Sequence, residues 1–213
     1  MIEFKASDRG AGIVVALVLA GLAGTAVGQT NVDLSNWNQK GPVADGDWDV
    51  AGDGSFVEQK INGQPTFFVS PGNFANTTVN GRFGVQTSGD DDYMGFVFGY
   101  QTPQGTGTDF DFLIFSWAQS GDPNSGQRPG GFALAYANGN DNFGFVNDNP
   151  GAGYHVLDTD TAGQGQTSKS WEDNTLYDFS LLYQDNRIKI DIEGGSNFAG
   201  GQTIFDLTPA TLM

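Results

Sequence analysis

The chain has 213 residues and a formal net charge of −16, from nine Lys+Arg against 25 Asp+Glu, with one His and no Cys. Such an acid excess leaves no basic stripe to neutralise phosphates, which argues against nucleic acid as a partner and against electrostatic docking on an anionic membrane. The missing thiols exclude disulfide staples, thiol catalysis and thiolate metal sites. Of the acids 21 are Asp and four are Glu, and 32 Gly and 17 Phe accompany them; this is the composition of turns and aromatic strands, with little room for helix.

The first predicted element is a leader. Lys5 and Arg9 precede an apolar run over residues 11–27, densest at 13–20, and the run closes on the small residues Ala26-Val27-Gly28. A positive start, an apolar core and a small-x-small exit describe a secretory signal peptide over residues 1–28, with cleavage leaving Gln29 first. A retained membrane anchor is the alternative; the many Gly and Ala residues and the shortness of the dense core weigh against it. No second segment approaches spanning length.

Strands follow. Residues 56–61 and 66–69 flank Asn62-Gly63, a dipeptide suited to a tight reversal, so a hairpin is expected there, with Pro65 at a strand start where a missing donor is tolerable. Residues 77–87 alternate, with Val79, Gly81, Phe83 and Val85 on one face. Residues 93–101 alternate less, and Gly95 and Gly99 are placed where another backbone or a bulky ring would come close. The run 109–117 is the most apolar and reads as a central strand buried on both faces. Residues 131–137 set Phe132, Leu134 and Tyr136 on one side. Between 138 and 174 the pattern fails, and this stretch, which holds His155, reads as a long functional or mobile loop. A second hairpin is expected from 176–183 and 187–192 around Gln184-Asp185-Asn186, with Ile188, Ile190 and Ile192 facing inward, and 203–207 is a last short strand. Many short strands, Gly/Asn turns and no convincing helix predict an all-β, antiparallel two-sheet sandwich.

The strongest candidate site is Asp90-Asp91-Asp92, directly before the strand at 93–101. Three adjacent carboxylates repel one another and cannot be buried unpaired. On a straight strand only Asp90 and Asp92 would converge, but Gly89 lets the chain curl so that all three could meet one ion. A hard cation with oxygen ligands, calcium, suits that donor set; a solvated loop tip is the plain alternative. Asp45-Gly46-Asp47-Trp48-Asp49 with Asp53-Gly54 resembles a calcium loop at first sight, but lacks the Gly after the third acid and has Phe56 where a closing Glu belongs. Alternation accounts for it better, Trp48 and Val50 inward, Asp47 and Asp49 outward. Asp109 and Asp111 could cap a turn or reach the same ion as the triplet. His155 has no nucleophile signature near it and no companion ligands for zinc. Trp37, Trp48, Trp117 and Trp171 could stack on sugars, Trp171 being the best placed, though most such rings are core.

The segment Asp90-Asp91-Asp92-Tyr93-Met94-Gly95-Phe96-Val97-Phe98-Gly99-Tyr100-Gln101 resembles the most recognisable stretch of the thrombospondin C-terminal domain, a calcium-binding, lectin-like sandwich. Val79-Asn80-Gly81-Arg82-Phe83, Phe112-Leu113-Ile114-Phe115-Ser116-Trp117-Ala118-Gln119, Pro129-Gly130-Gly131-Phe132-Ala133-Leu134 and Arg187-Ile188-Lys189-Ile190 fall in the family's order over residues 32–213. The resemblance implies a concanavalin A-like jelly roll, calcium at Asp90, Asp91 and Asp92, and an extracellular adhesive role with glycans or surface and matrix proteins as partners. Several features depart from the family pattern. There is no Arg-Gly-Asp, the receptor-binding apolar segment is not reproduced at 113–116, and the family's Asp-rich calcium repeats are missing. The layout looks like a secreted bacterial relative. The family also continues with a Gly-Arg-x-Gly-Phe strand and a closing strand where this chain has Thr211-Leu212-Met213, so the resemblance implies a sandwich short of its last strands.

Two other functions compete with adhesion. A glycosidase on this fold needs two carboxylates flanking the sugar bond; the Glu-x-Asp-x-x-Glu pattern of the best-known hydrolases is absent, and after the leader only Glu58, Glu172 and Glu193 remain. A purely structural envelope or biofilm component is the third reading.

Overall fold

In the computed structural model, which describes residues 14–15, 31–63, 66–88, 93–101, 110–119, 131–139, 154–159 and 170–209, apolar alternation becomes β-structure almost throughout. Thirteen strands are described: β1 Val14–Val15, β2 Asn38–Lys40, β3 Trp48–Val50, β4 Val57–Gln59, β5 Thr66–Val69, β6 Thr77–Phe83, β7 Tyr93–Gln101, β8 Phe110–Ala118, β9 Gly131–Gly139, β10 Tyr154–Thr159, β11 Tyr177–Gln184, β12 Arg187–Gly194 and β13 Phe198–Leu207. A 3-10 turn at Val43–Asp45 is the only helical element among the described residues.

The strands form a seven-stranded sheet in the order β10-β9-β8-β7-β1-β5-β2, a four-stranded sheet β13-β12-β11-β6, and the small pair β3-β4. Every pairing is antiparallel except those of β1, which runs parallel to both β5 and β7. The two large sheets face each other across an aromatic core. Phe96 of β7 stacks on Phe115 of β8 at 4.8 Å and on Phe179 of the opposite sheet at 4.9 Å. Trp117 lies 4.7 Å from Phe132 and meets Tyr177 edge-on at 4.6 Å. Offset and edge-to-face rings of this kind add to the area they bury.

The alternation at 77–83 is realised as expected, with Val79, Gly81 and Phe83 buried. Strand β8 lies between β7 and β9 and is buried on both faces, Phe115 and Trp117 on the core side, Phe112, Ile114 and Ser116 on the other. The hairpin of β11 and β12 closes at Asp185-Asn186, with Gln184 opposite Arg187. Both glycines of β7 do what their positions suggested. A Cβ at Gly95 would overlap the carbonyl oxygen of Phe115, and Gly99, at φ +65°, would set a Cβ 2.8 Å from the Tyr183 hydroxyl.

Two expectations are overturned. The strands at 56–61 and 66–69 do not form a hairpin: β4 pairs with β3, while β5 joins the large sheet beside β2. Long-range hydrogen bonds decide this. Gln59 accepts from the Asp47 amide at 2.9 Å and donates to the Asp45 carbonyl at 2.9 Å, which fixes β4 against the chain before it. The stretch 138–174 is also not wholly irregular, for β10 pairs with β9 through Val156 opposite Ala135, across a register shift. Its exposed Val156 and Leu157 hid the edge strand from a reading based on alternation. Strand β2 is too short and too polar for periodicity to find.

Candidate functional site

The end of the sandwich at which β7 begins carries the family motif. Tyr93 pairs with Ala118, which pairs with Gly131, and on the facing sheet Phe83 pairs with Tyr177. Gly84 lets the backbone pass so close to Thr175 that a Cβ there would overlap its carbonyl oxygen. Asp90, Asp91 and Asp92 lie outside the described residues, between Ser88 and Tyr93. Their donor chemistry, three carboxylates with no compensating cation in the adjoining sequence, fits a hard divalent ion.

Several described polar groups at this end are already engaged, although the buried Trp171 indole nitrogen has no hydrogen-bond partner among the described residues. Gln119 donates its amide to Asp173 at 2.9 Å, and the Ser170 hydroxyl donates to the Gln119 carbonyl. The Glu172 amide donates to the Tyr177 hydroxyl at 2.7 Å. Ser196 gives Glu172 both its amide, at 2.8 Å, and its hydroxyl, at 2.6 Å. The Ser196 hydroxyl bond, ahead of burial, holds the Glu172 carboxyl below its usual range, whereas burial pushes the Tyr177 phenol well up. Among the described residues no three His, Asp or Glu side chains gather closely enough to hold a metal.

The remaining candidates separate. Asp109 lies outside the described residues. Asp111 is exposed and pairs with Gln101, at the far end of β7 from Tyr93, roughly 25 Å away at ~3.3 Å per residue, so it shares no ligand set with groups beside Tyr93. In the 45–54 segment the acids serve local structure: Asp49 pairs with Lys60 at 2.5 Å, and Asp53 accepts from the Ser55 amide and hydroxyl. Trp171 is not a surface platform but is 1 % exposed, and Trp37 and Trp117 are likewise buried. His155 stands on the edge strand β10, exposed and stacked over Tyr136 at 6.3 Å, rather than in an irregular loop.

Sequence reasoning did not foresee a cavity of about 460 Å³ between β5 and β7, lined by Phe68, Val69, Val97, Tyr100, Leu181 and Tyr183 among others. No motif marks it, because its walls come from four separate stretches of chain.

Two large sheets packed face to face with an aromatic core define the concanavalin A-like class of all-β sandwich modules. The family model of the thrombospondin C-terminal region matches residues 43–208. Thrombospondin-2 of Gallus gallus is 28 % identical over 178 residues, 77 % of this chain and 14 % of that protein. Thrombospondin-2 of Homo sapiens is 28 % identical over 180 residues, 78 % of this chain and 15 % of that protein. The cartilage oligomeric matrix protein of Mus musculus is 35 % identical over 75 residues, 35 % of this chain and 9 % of that protein. The chain belongs to the thrombospondin C-terminal region family, and it spans only about 14 to 16 % of the length of the thrombospondin-2 relatives.

Proposed function

We propose that the chain is a secreted, non-catalytic lectin-like module that binds calcium through Asp90, Asp91 and Asp92 and acts in adhesion to glycans or to surface and matrix proteins. The observation that carries this reading is the family match over residues 43–208, which contains the triple-Asp block at the head of β7. When bound, the ion supplies charge neutralisation and no chemistry of bond cleavage. The residues themselves divide the work: the three carboxylates offer oxygen donors, and Tyr93, paired to Ala118, ties their chain to the sheet. The non-catalytic part of the reading is supported by Glu172, whose carboxylate is committed to Ser196, and by Glu58, which lies on β4 in the small β3-β4 pair, away from Glu193 on β12. No helix among the described residues is long and apolar enough to cross a membrane.

The test is thermal unfolding in calcium and in chelator. Mass action gives a stabilisation of ~2.7 kcal/mol at a hundredfold excess over Kd, and Asp90→Ala, Asp91→Ala and Asp92→Ala should each lose most of it. Parent and variants that melt alike in both conditions would remove calcium from the proposal. A glycan array and a polysaccharide hydrolysis assay then separate adhesion from structure and from catalysis.

A further inference from the structure

Asn62-Gly63 suits a tight reversal, yet the fold makes no such turn of it. β4 and β5 are not a hairpin, and neither residue takes the positive φ that a type I′ turn requires. The glycine is needed for another reason. The three atoms nearest to where a Gly63 side chain would project all belong to Asp45, and a Cβ there would overlap them. Both residues are partly exposed, and neither makes a hydrogen bond with any of the described residues.

An asparagine followed by glycine can modify itself. The glycine nitrogen attacks the side-chain carbonyl carbon, and the missing Cβ leaves its approach uncrowded. The attack needs that nitrogen free of hydrogen bonds and turned toward the side chain. The chain has three Asn-Gly dipeptides, at 62, 80 and 138, and their surroundings differ. Asn80-Gly81 lies inside β6, opposite Ser180 and Phe179, with Gly81 buried. Asn138-Gly139 lies inside β9, opposite Asp111 and Phe110. In a paired antiparallel strand, at ψ ~+135°, the next nitrogen is turned away from the side chain and the ladder holds it there. Only Asn62-Gly63 stands outside the strands.

We propose that Asn62 is a self-modification site, which loses its amide by attack of the Gly63 nitrogen, in preference to Asn80 and Asn138, and leaves a permanent carboxylate beside Asp45. Hydroxide takes the Gly63 amide proton. The bond from Gly63 N to Asn62 Cγ forms, the bond from Cγ to Nδ2 breaks, and the amide nitrogen leaves as ammonia with a proton from water. A second water opens the cyclic imide at either carbonyl, giving aspartate or isoaspartate. The product adds one negative charge to a chain already at −16, in a segment where Asp45 already packs on Gly63. Isoaspartate also lengthens the connection from β4 to β5 by one backbone carbon. The change is irreversible and asks nothing of the proposed calcium site.

The test incubates the full chain, folded, at mildly alkaline pH. Trypsin then cuts after Lys60 and Arg82, so residues 61–82 carry both Asn62 and Asn80 in one peptide. Fragment mass spectrometry should show conversion at residue 62 at least about tenfold faster than at residue 80, ~1.4 kcal/mol in barrier. In denaturant, where the strand no longer protects Asn80, the two rates should converge. Asp45→Ala/Gly63→Ala, which removes the overlap and sets a methyl beside the attacking nitrogen, should slow residue 62 by at least about tenfold. Equal rates at 62 and 80 in the folded chain, no conversion at either, or a double variant as fast as the parent each overturn the proposal. Asn62→Asp carries the product's charge and should lower the melting temperature, less so in salt. An unchanged melting temperature overturns the repulsion from Asp45.

Discussion

Glu172 shows how one residue can serve the end of the sandwich without coordinating anything. Its carboxylate takes two bonds from Ser196 while its amide donates to the buried Tyr177 hydroxyl, so one residue ties the 170–175 segment both to the β12–β13 turn and to the start of β11. Since its folded-state affinity for a proton is lowered, its contribution is fully present above pH 4.5, the ordinary value for glutamate, and fades as the pH falls through the lower folded value. Glu172→Gln should therefore lower the melting temperature at neutral pH, and its loss of stability on acidification should be shallower than the parent's. Melting curves from pH 7 downward measure both; parallel acid limbs would show that the carboxylate is not linked to folding. Trp171, beside it, was the residue least legible in the sequence. Its neighbours are polar and its segment is irregular, yet its ring is core because the 170–175 segment folds back over the sheets, a tertiary fact that no local pattern carries.

At the scale of elements, the pairing of β7 with β8 depends on a missing side chain. Gly95 faces Ser116 in register, and the Phe115 carbonyl occupies the space a Cβ would need. Gly95→Ala should cost about 1–3 kcal/mol by forcing the strands apart, while Gly52→Ala, with nothing within 4 Å of the added carbon, should be close to neutral. Denaturant unfolding of the two variants tests the contrast, and similar midpoints would refute it. Strands whose partners lie next to them in sequence, or whose alternation is strict, were readable from the chain: Ile188, Ile190 and Ile192 announce β12, and the Asp185-Asn186 turn announces its hairpin. The partner of β4 was not readable. Asn62-Gly63 favours a reversal locally, but Gln59 ties β4 to the Asp45–Asp47 stretch before β3, and the pair meets β5 through the Gln59 and Trp48 side chains, each donating to the Thr66 hydroxyl at 3.1 Å. The cavity was hidden for the same reason, being a property of how separate strands come together rather than of any one of them.

For the whole molecule the dominant quantity is charge. A net −16 on a single sandwich repels itself, and that repulsion opposes compaction. Raising monovalent salt from about 10 mM to about 150 mM shortens the screening length from ~30 Å to ~8 Å and should raise the melting temperature of the parent. Calcium should add to this at matched ionic strength, and a calcium effect equalled by magnesium or by sodium would be bulk screening rather than a site. The fold class was legible at this scale because composition, turn residues and strand patterns all agree on it. The acidic triplet was legible as a motif, but its ligand geometry depends on loop conformation, which sequence spacing leaves open.

The four-stranded sheet is closed late. Strand β6 finds its partner in β11, and the Arg82–Asp178 ion pair that spans them joins residues 96 positions apart. Such a separation slows folding, because a long loop must be ordered before the contact rewards it. While the chain is being synthesised, the apolar face of Val79 and Phe83 therefore waits uncovered until residue 177 and its neighbours emerge. The nascent polypeptide is left dependent on whatever shields it while nearly half of its own length is made.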